Sequence, residues 1–247
     1  MLLLRPNLPI SPCSTRGEGW VFFAILSFLC LGLEKGVTQN AAAVSLPGAS
    51  VTNAPWKQIG PGLFELGQVR FDKTNRAVTF PATVNLREGN IEYVVVTATG
   101  KTHESLLRTT AEPLHVQLAL LLLGARGAGT NVLTENRSEP LPGDQVEVEI
   151  SWKTDGRNER FRAEDFVHDR KAGRPASRGV WIYNGSRLRE DGFAAQLDGS
   201  ILSLITDAGA LINNPRPGRE DDDNWLVRTN HLPALHAPVE VTVKLIR

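Results

Sequence analysis

Cysteine is almost absent from this chain of 247 residues. Its two cysteines, Cys13 and Cys30, both lie in an N-terminal segment that we interpret below as a cleaved export signal. The mature protein would then have no thiol for a disulfide, for nucleophilic catalysis or for zinc, and no cysteine ligands for an iron–sulfur cluster. Its stability must come from its core, and a chain of about 200 residues is long enough to bury roughly 70% of its unfolded surface.

An excess of charge is also missing, because 27 lysines and arginines balance 27 aspartates and glutamates. A neutral chain gives no electrostatic reason to expect a nucleic-acid partner. The common catalytic signatures are missing as well: there is no P-loop, no dinucleotide fingerprint after a strand, no GxSxG and no HExxH. These absences remove the commonest enzyme classes and leave open an enzyme of another kind.

The N-terminus has the features of an export signal, which we assign to residues 1–43. Arg5 and Arg16 precede an apolar run of 14 residues, WVFFAILSFLCLGL at 20–33. That length suits the apolar region of a secretory signal and is shorter than the roughly 20 residues that span a bilayer. A small-x-small pattern ends at Ala43, so we expect cleavage there and a periplasmic or secreted protein. The alternative is an uncleaved anchor formed by residues 20–33.

After the signal, strand patterns dominate the sequence. Residues 44–59 are rich in proline and small residues and are predicted to be a linker, and residues 60–247 are predicted to be one domain. QVEVEISW at 145–152 alternates apolar and polar positions, as in a half-buried antiparallel strand, and IEYVVVTAT at 91–99 is apolar enough for a strand buried on both faces.

Two segments favour helix instead. Residues 111–124, AEPLHVQLALLLLG, are rich in leucine, with a proline in the first turn and a glycine at the end. Because this segment is apolar on every side from Leu118 onward, we expect its helix to be buried against the sheet. A shorter helix is expected near 207–213, capped by Asp207. The prediction is an α+β fold, mostly antiparallel sheet with one central buried helix; two lobes divided near residue 130 are the alternative.

The most polar motif is GKTHESLL at 100–107, which contains Lys101, His103, Glu104 and Ser105. On an extended strand, His103 and Ser105 would share a face about 7 Å apart, too far for a serine–histidine hydrogen bond of about 3 Å. In a helical turn, Lys101 and Glu104 would form a surface ion pair. The motif therefore either forms a ligand or metal site or braces a turn, and no catalytic residue is assigned.

Several motifs occur together along the chain: GKTHESLL at 100–107, PLHVQLALLLLG at 113–124, GDQVEVEISW at 143–152, GVWIYNGSRL at 179–188, DGSILSLITDAGALINN at 198–214 and NWLVRTNHLPALHAPVEVTV at 224–243. In this order they resemble the YdjY-type domain proteins of bacteria, an exported family without an established activity. The resemblance covers roughly residues 60–247. It implies that GKTHES is the family's polar hallmark and that Asn184-Gly185-Ser186 matches a position usually occupied by Thr-Gly-Ser.

The resemblance adds little about cofactors. Some members of the family are labelled ferredoxin-like, and some are fused to or encoded near iron–sulfur or membrane proteins. The lack of cysteine in the mature chain argues against an iron–sulfur cluster here, and no cofactor is predicted.

Three hypotheses about function remain open. The first is a non-enzymatic module of the cell envelope that binds an unknown protein or small ligand, with no nucleic acid and with membrane contact only through an uncleaved N-terminal segment. The second is a hydrolase-like or metal-dependent enzyme centred on His103 and Glu104, with a carboxylate from Asp207 or Asp165. The third is a purely structural envelope protein. The candidate ligand or metal site comprises Lys101, His103, Glu104, Ser105, Gly185, Ser186 and Asp207.

Overall fold

The computed structural model of the protein describes residues 56–129, 133 and 139–246. The predicted export signal at 1–43 and residues 44–55 of the predicted linker lie outside the described residues. The strands, in chain order, are β1 (Lys57–Gly60), β2 (Leu63–Leu66), β3 (Val69–Asp72), β4 (Ala77–Val84), β5 (Tyr93–Thr97), β6 (Ser105–Thr109), β7 (Asp144–Thr154), β8 (Arg157–Arg162), β9 (Val167–Asp169), β10 (Arg174–Pro175), β11 (Trp181–Tyr183), β12 (Leu188–Arg189), β13 (Gly192–Phe193), β14 (Ser200–Ser203), β15 (Ile212–Asn213), β16 (Trp225–Val227) and β17 (Pro238–Leu245). The helices are α1 (Pro113–Leu122) and α2 (Ala194–Asp198), with 3₁₀ turns at Thr102–Glu104 and Ala163–Phe166.

The main sheet closes on itself. Its strands follow the order β4, β17, β7, β11, β15, β14, β5, β6, and β6 pairs back to β4 through Thr83 opposite Arg108 and Val84 opposite Leu107. The result is an eight-stranded barrel, extended beyond β4 by β3, β2 and β1, and beyond β7 by β8. The pairings are antiparallel except β5 with β6 and β14 with β15. Strands on both sides of residue 130 take part in this one closed sheet.

Alternating side chains explain why these segments form strands of a closed sheet. In β4 the even positions Val78, Phe80 and Val84 are buried, whereas Pro81 is exposed and Thr83 half-buried between them. β7 and β17 show the same period of two, with valine and isoleucine on the buried face. Beta-branched residues suit this pleated, half-buried surface, and the buried faces of the strands join a single hydrophobic core.

The predicted α+β fold with a central buried helix is wrong, because 42% of the described residues are in strands and 12% are helical. The helix predicted at 111–124 exists as α1, but only one of its faces is buried, where it packs against β3 and β4. On its other face Leu118, Leu121 and Leu122 are 40%, 46% and 48% exposed. A leucine run that is apolar on every side allows full burial without requiring it, and here the core is built mainly from strand side chains.

The second predicted helix, at 207–213, is also wrong. The Asp207 carboxylate accepts a hydrogen bond from the Gly209 backbone at 2.7 Å, and the Asp207 backbone N–H donates to the Asn213 side chain at 2.7 Å. Aspartate often forms such local bonds in turns, where they compete with helix formation. The segment therefore forms a turn that leads into β15, and the second helix of the structure is α2.

A glycine substitution tests the close approach between β7 and β11. Gly143 has φ +128°, and a Cβ atom there would collide with the Tyr183 carbonyl oxygen at the end of β11. We expect Gly143→Ala to lower the free energy of unfolding by about 3 kcal/mol or more. Gly156→Ala is the control, because φ is +75° but none of the described residues lies within 4 Å of the added carbon. It should lower the free energy of unfolding by about 1–2 kcal/mol. Equal losses in denaturant unfolding would contradict this packing.

Candidate functional site

Tyr93 brings two of the predicted site residues together. Lys101 Nζ donates a hydrogen bond to the Tyr93 hydroxyl at 3.0 Å, and the hydroxyl donates to Asp207 Oδ2 at 3.1 Å. Tyr93 begins β5 and is 1% exposed, whereas Lys101 lies just before the 3₁₀ turn and Asp207 lies between β14 and β15. The chain Lys101–Tyr93–Asp207 therefore joins a surface ammonium to a turn carboxylate through a buried phenol.

The environment of this chain favours the neutral phenol and the charged amine. Burial and the negative charge of Asp207 raise the pKa of Tyr93 to about 12. Partial burial acts to lower the pKa of Lys101, but the hydrogen bond to Tyr93 and the negative charges of Glu104 and Glu92 outweigh it and hold that pKa above its usual value. At neutral pH neither group is therefore an activated nucleophile or base.

Two further carboxylates surround the lysine. Lys101 Nζ lies 3.6 Å from Glu104 Oε1 and 3.7 Å from Glu92 Oε2. Burial and the nearby charge of Glu104 raise the pKa of Glu92. The 3₁₀ turn at Thr102–Glu104 creates this arrangement, because residues three apart in such a turn lie on the same side. Lys101, Tyr93, Asp207, Glu104 and Glu92 form what we call the lysine cluster.

His103 and Ser105 have different environments. The His103 side chain is 80% exposed, and its Nε2 atom lies 3.5 Å from Glu104 Oε2. Ser105 is fully buried, and its hydroxyl donates to the Lys101 carbonyl oxygen at 2.6 Å. The hydroxyl thus stabilises the turn, while His103 stands at the rim of the lysine cluster.

Gly185 and Ser186 hold the turn that carries Asp207. The Ser186 hydroxyl donates to the Gly209 carbonyl oxygen at 2.6 Å and accepts from the Ala195 backbone at 3.0 Å. The Gly185 backbone N–H donates to Leu211 O at 3.0 Å, and Gly185 has φ +82°. The Ser186 hydroxyl therefore links α2 to the turn at 207–211, and the Gly185 backbone bonds to the same turn.

The alternative carboxylate, Asp165, lies in another charged region. It accepts two hydrogen bonds from the Arg178 guanidinium, at 2.8 and 2.7 Å, and one from the Arg162 backbone at 3.0 Å. Next to it Glu164 is 1% exposed and is paired with Arg162 and Arg216. Among the described residues, neither Asp165 nor Asp207 forms an ion pair with His103, whose Nε2 atom lies near Glu104 instead.

Within the part of the chain that the structure describes, one group of side chains could hold a metal ion. The carboxylate oxygens of Asp221, Asp222 and Asp223 lie within 4.8 Å of one another. Lys171 Nζ lies 2.6 Å from Asp221 Oδ2, and this hydrogen bond lowers the pKa of Asp221. An ammonium therefore already balances part of this exposed acidic group.

A separate open groove of about 950 Å³ lies along the sheet. Its walls come from β3, β4, β6, β7, β8 and β17. On β4 and β17 its lining includes Pro81, Thr83 and Glu240, which alternate with the buried positions and so belong to the solvent-facing side. The groove is thus formed by the outer face of strands whose inner face builds the core. The residues that line it are Arg70, Pro81, Ala82, Thr83, Ala98, Arg108, Thr109, Thr110, Ser151, Trp152, Lys153, Asn158, Arg160, Pro238, Val239 and Glu240.

This groove, which we call the basic groove, carries four cationic side chains against one carboxylate. Arg70 is paired with that carboxylate, Glu240. Arg160 is 69% exposed and lies 3.7 Å from Glu149. Arg108 and Lys153 have no carboxylate within ion-pair distance among the described residues, and Arg108 Nε contacts only the Thr83 hydroxyl, at 3.4 Å. The basic groove therefore has a local positive excess on a chain with no net charge.

The sequence interpretation missed the basic groove. Its cations occupy solvent-facing positions of separate strands, where charged residues are expected in any soluble protein. Their convergence depends on the strand order β6, β4, β17, β7, β8, which the alternation of residues does not reveal. The net charge of the chain does not reveal the groove either, because a net charge of zero over the whole sequence hides a local excess of cations.

The fold and these two polar regions define a mostly-β protein built on a closed eight-stranded sheet. The model of the YdjY domain family matches residues 69–244, and the chain therefore belongs to that family. This confirms the resemblance inferred from the sequence motifs. No curated protein and no solved structure matches the chain. Within the described residues, the helices lack the length and apolar character needed to cross a membrane.

Spectroscopic titration tests the environment of Tyr93. The chain has two tyrosines, and burial raises the pKa of both Tyr93 and Tyr183. We expect little phenolate absorbance in the folded protein at pH 10 to 11. A tyrosine whose pKa is raised on folding contributes stability that is fully present below its usual pKa of about 10 and is lost as the pH rises further. The free energy of unfolding should therefore fall between pH 10 and about 12.

Tyr93→Phe provides the comparison for this titration. At neutral pH it should lower the free energy of unfolding by about 1–3 kcal/mol, because Lys101 and Asp207 lose their shared partner. Its stability should then decline less steeply above pH 10 than that of the parent. Full phenolate absorbance near pH 10 with the fold intact would contradict the burial of both phenols.

Proposed function

We propose that this YdjY domain protein is an exported, non-enzymatic binding module of the cell envelope, and that its basic groove binds an anionic ligand. The observation that carries the proposal is the local positive excess of an open groove of about 950 Å³. A groove lined by charge of one sign attracts ligands of the other sign and concentrates them. Binding pockets for small ligands commonly measure about 300–1,000 Å³, so this groove has room for one.

The state of the lysine cluster supports a role without catalysis. Its lysine is protonated and its phenol neutral at physiological pH, since their pKa values are raised. Its one ammonium already lies near two carboxylates, those of Glu92 and Glu104. The exposed His103 contacts one of those carboxylates and Ser105 is occupied in a backbone turn. This set of contacts favours a structural role for the family hallmark.

Export rests on the N-terminal pattern. The charged residues, the apolar run at 20–33 and the small residues ending at Ala43 together match a secretory signal. A protein without cysteine after that signal has no disulfide to form, which suits a cell envelope of any redox state. We therefore propose a periplasmic or secreted site of action.

The groove proposal is tested with the protein produced from its full-length gene. Binding of polygalacturonate, polyglutamate and polyphosphate is measured by calorimetry at low and high salt. We expect at least one of these polyanions to bind, with an affinity that falls as salt rises, because exposed charges are screened. The variant Arg108→Glu with Lys153→Glu should bind at least tenfold more weakly.

The matched control carries two charge reversals of the same kind outside the groove, Lys57→Glu with Arg187→Glu. Both residues are exposed and neither lines the basic groove. The control should retain the parent affinity. If no polyanion binds, or if both double variants lose affinity equally, the groove is not the binding site. Chemical turnover of a bound polyanion would overturn the non-enzymatic role.

A further inference from the structure

The basic groove has cations at both of its ends, and the ion pair of Arg70 with Glu240 lies between them. The pairing registers place Pro81 opposite Glu240, Glu240 opposite Ser151, and Ser151 opposite Arg160, so that one row of residues crosses β4, β17, β7 and β8. At the other end β6 adds Arg108 beside Thr83. Five strands, at about 4.8 Å between neighbouring backbones, give a span of roughly 19 Å from the backbone of Arg108 to that of Arg160. A compact anion cannot contact both ends at once.

Uncharged polar groups lie beside the cations of the basic groove. Ser151 lies in the row that crosses the strands, and Asn158 lies opposite Lys153 on β8, at the same end as Arg160. Neither the Ser151 hydroxyl nor the Asn158 amide has a hydrogen-bond partner among the described residues. Thr83 and Thr110 contribute further hydroxyls to the lining. The groove therefore offers hydrogen-bonding groups next to cations, which suits a ligand that bears both hydroxyl and acidic groups along its length.

Two other classes of extended anion fit less well. Single-stranded nucleic acid is usually bound by aromatic side chains on which its bases stack, but the aromatic lining residue, Trp152, is itself stacked on Phe161 at 5.3 Å and tilted against Phe166 at 6.1 Å. A peptide that adds a strand needs an unpaired strand edge. β6, β4, β17 and β7 each have neighbours on both edges. Across these four strands recognition comes from side chains.

These observations extend the proposed function, on which the inference rests. We propose that the basic groove binds an acidic oligosaccharide lying across β6, β4, β17, β7 and β8, with carboxylates at the Arg108 end and at the end formed by Lys153 and Arg160. The sugar hydroxyls bond to Ser151, between the two ends, and to Asn158, beside Lys153. Charge contacts at both ends hold the chain in place without a stacking aromatic, which a neutral sugar would need.

Oligomers of galacturonate are the probes for this proposal. Calorimetry with the protein from its full-length gene should give at least tenfold tighter binding for the hexamer than for the dimer, because only the hexamer reaches both ends. The fully methyl-esterified hexamer, which keeps the hydroxyls and loses the charges, should bind at least tenfold more weakly. Arg108→Glu and Lys153→Glu should each weaken hexamer binding about tenfold. Each should also reduce the difference in affinity between the hexamer and the dimer.

A second variant separates sugar recognition from charge alone. Ser151→Ala with Asn158→Ala keeps every charge of the basic groove. It should therefore weaken the binding of hexagalacturonate several-fold and leave the affinities for polyglutamate and polyphosphate unchanged. Circular dichroism and the midpoint of thermal unfolding confirm that each variant is folded.

The outcomes distinguish this inference from the proposed function. If polyglutamate, polyphosphate or oligothymidylate binds as tightly as hexagalacturonate, or if the dimer binds as tightly as the hexamer, the proposal of an oligosaccharide ligand is contradicted. The proposal that the groove binds an anion then still stands. If no polyanion binds, both are overturned.

Discussion

The pairing of β6 with β4 is the contact on which the rest of the structure depends. β4 is paired with β17 along one edge and shares its other edge between β3 and β6, so the place where β6 joins is the place where the sheet closes. That closure has two consequences. It sets Arg108 beside Thr83 at one end of the basic groove. It also holds β6 in place between β4 and β5, and in the pairing with β5 Ser105 lies opposite Tyr93 and brings Lys101, four residues earlier, within reach of the phenol. Both polar regions of the molecule therefore depend on the position of β6.

The two regions differ in whether their cations have carboxylate partners. In the lysine cluster one ammonium lies among a neutral phenol and three carboxylates. Burial and the negative charge of Asp207 raise the pKa of Tyr93, although the ammonium acts to lower it. In the basic groove Arg108 and Lys153 lack a carboxylate partner in the described part of the chain. An exposed cation without a carboxylate partner is more available to a ligand than one that carboxylates already hold. This contrast is why the groove, and not the more conspicuous hallmark motif, carries the proposed function.

The sequence correctly predicted several features that depend on residues close together in the chain. The alternation in QVEVEISW at 145–152 lies within the observed strand β7, and the ion pair foreseen for Lys101 and Glu104 in a helical turn forms in the 3₁₀ turn. The order of the motifs identified the YdjY family. The helix predicted near 207–213 does not form, because the Asp207 side chain bonds within a turn instead of capping a helix. The prediction of a central buried helix was wrong because the leucine run of α1 buries one face of the helix and leaves the other exposed.

The sequence by itself determined the positions of several strands, the lack of cysteine after the N-terminal segment, the family and the residues of the hallmark turn. These depend on side chains that are close in the chain, whose spacing reflects strand pleat and turn geometry. Only the tertiary structure decided that the sheet is closed, that Tyr93 links Lys101 to Asp207 and that cations from β3, β6, β7 and β8 line one groove. Those features depend on which strands become neighbours. Many strand orders satisfy the same alternation of apolar and polar residues, and packing of the whole core selects among them.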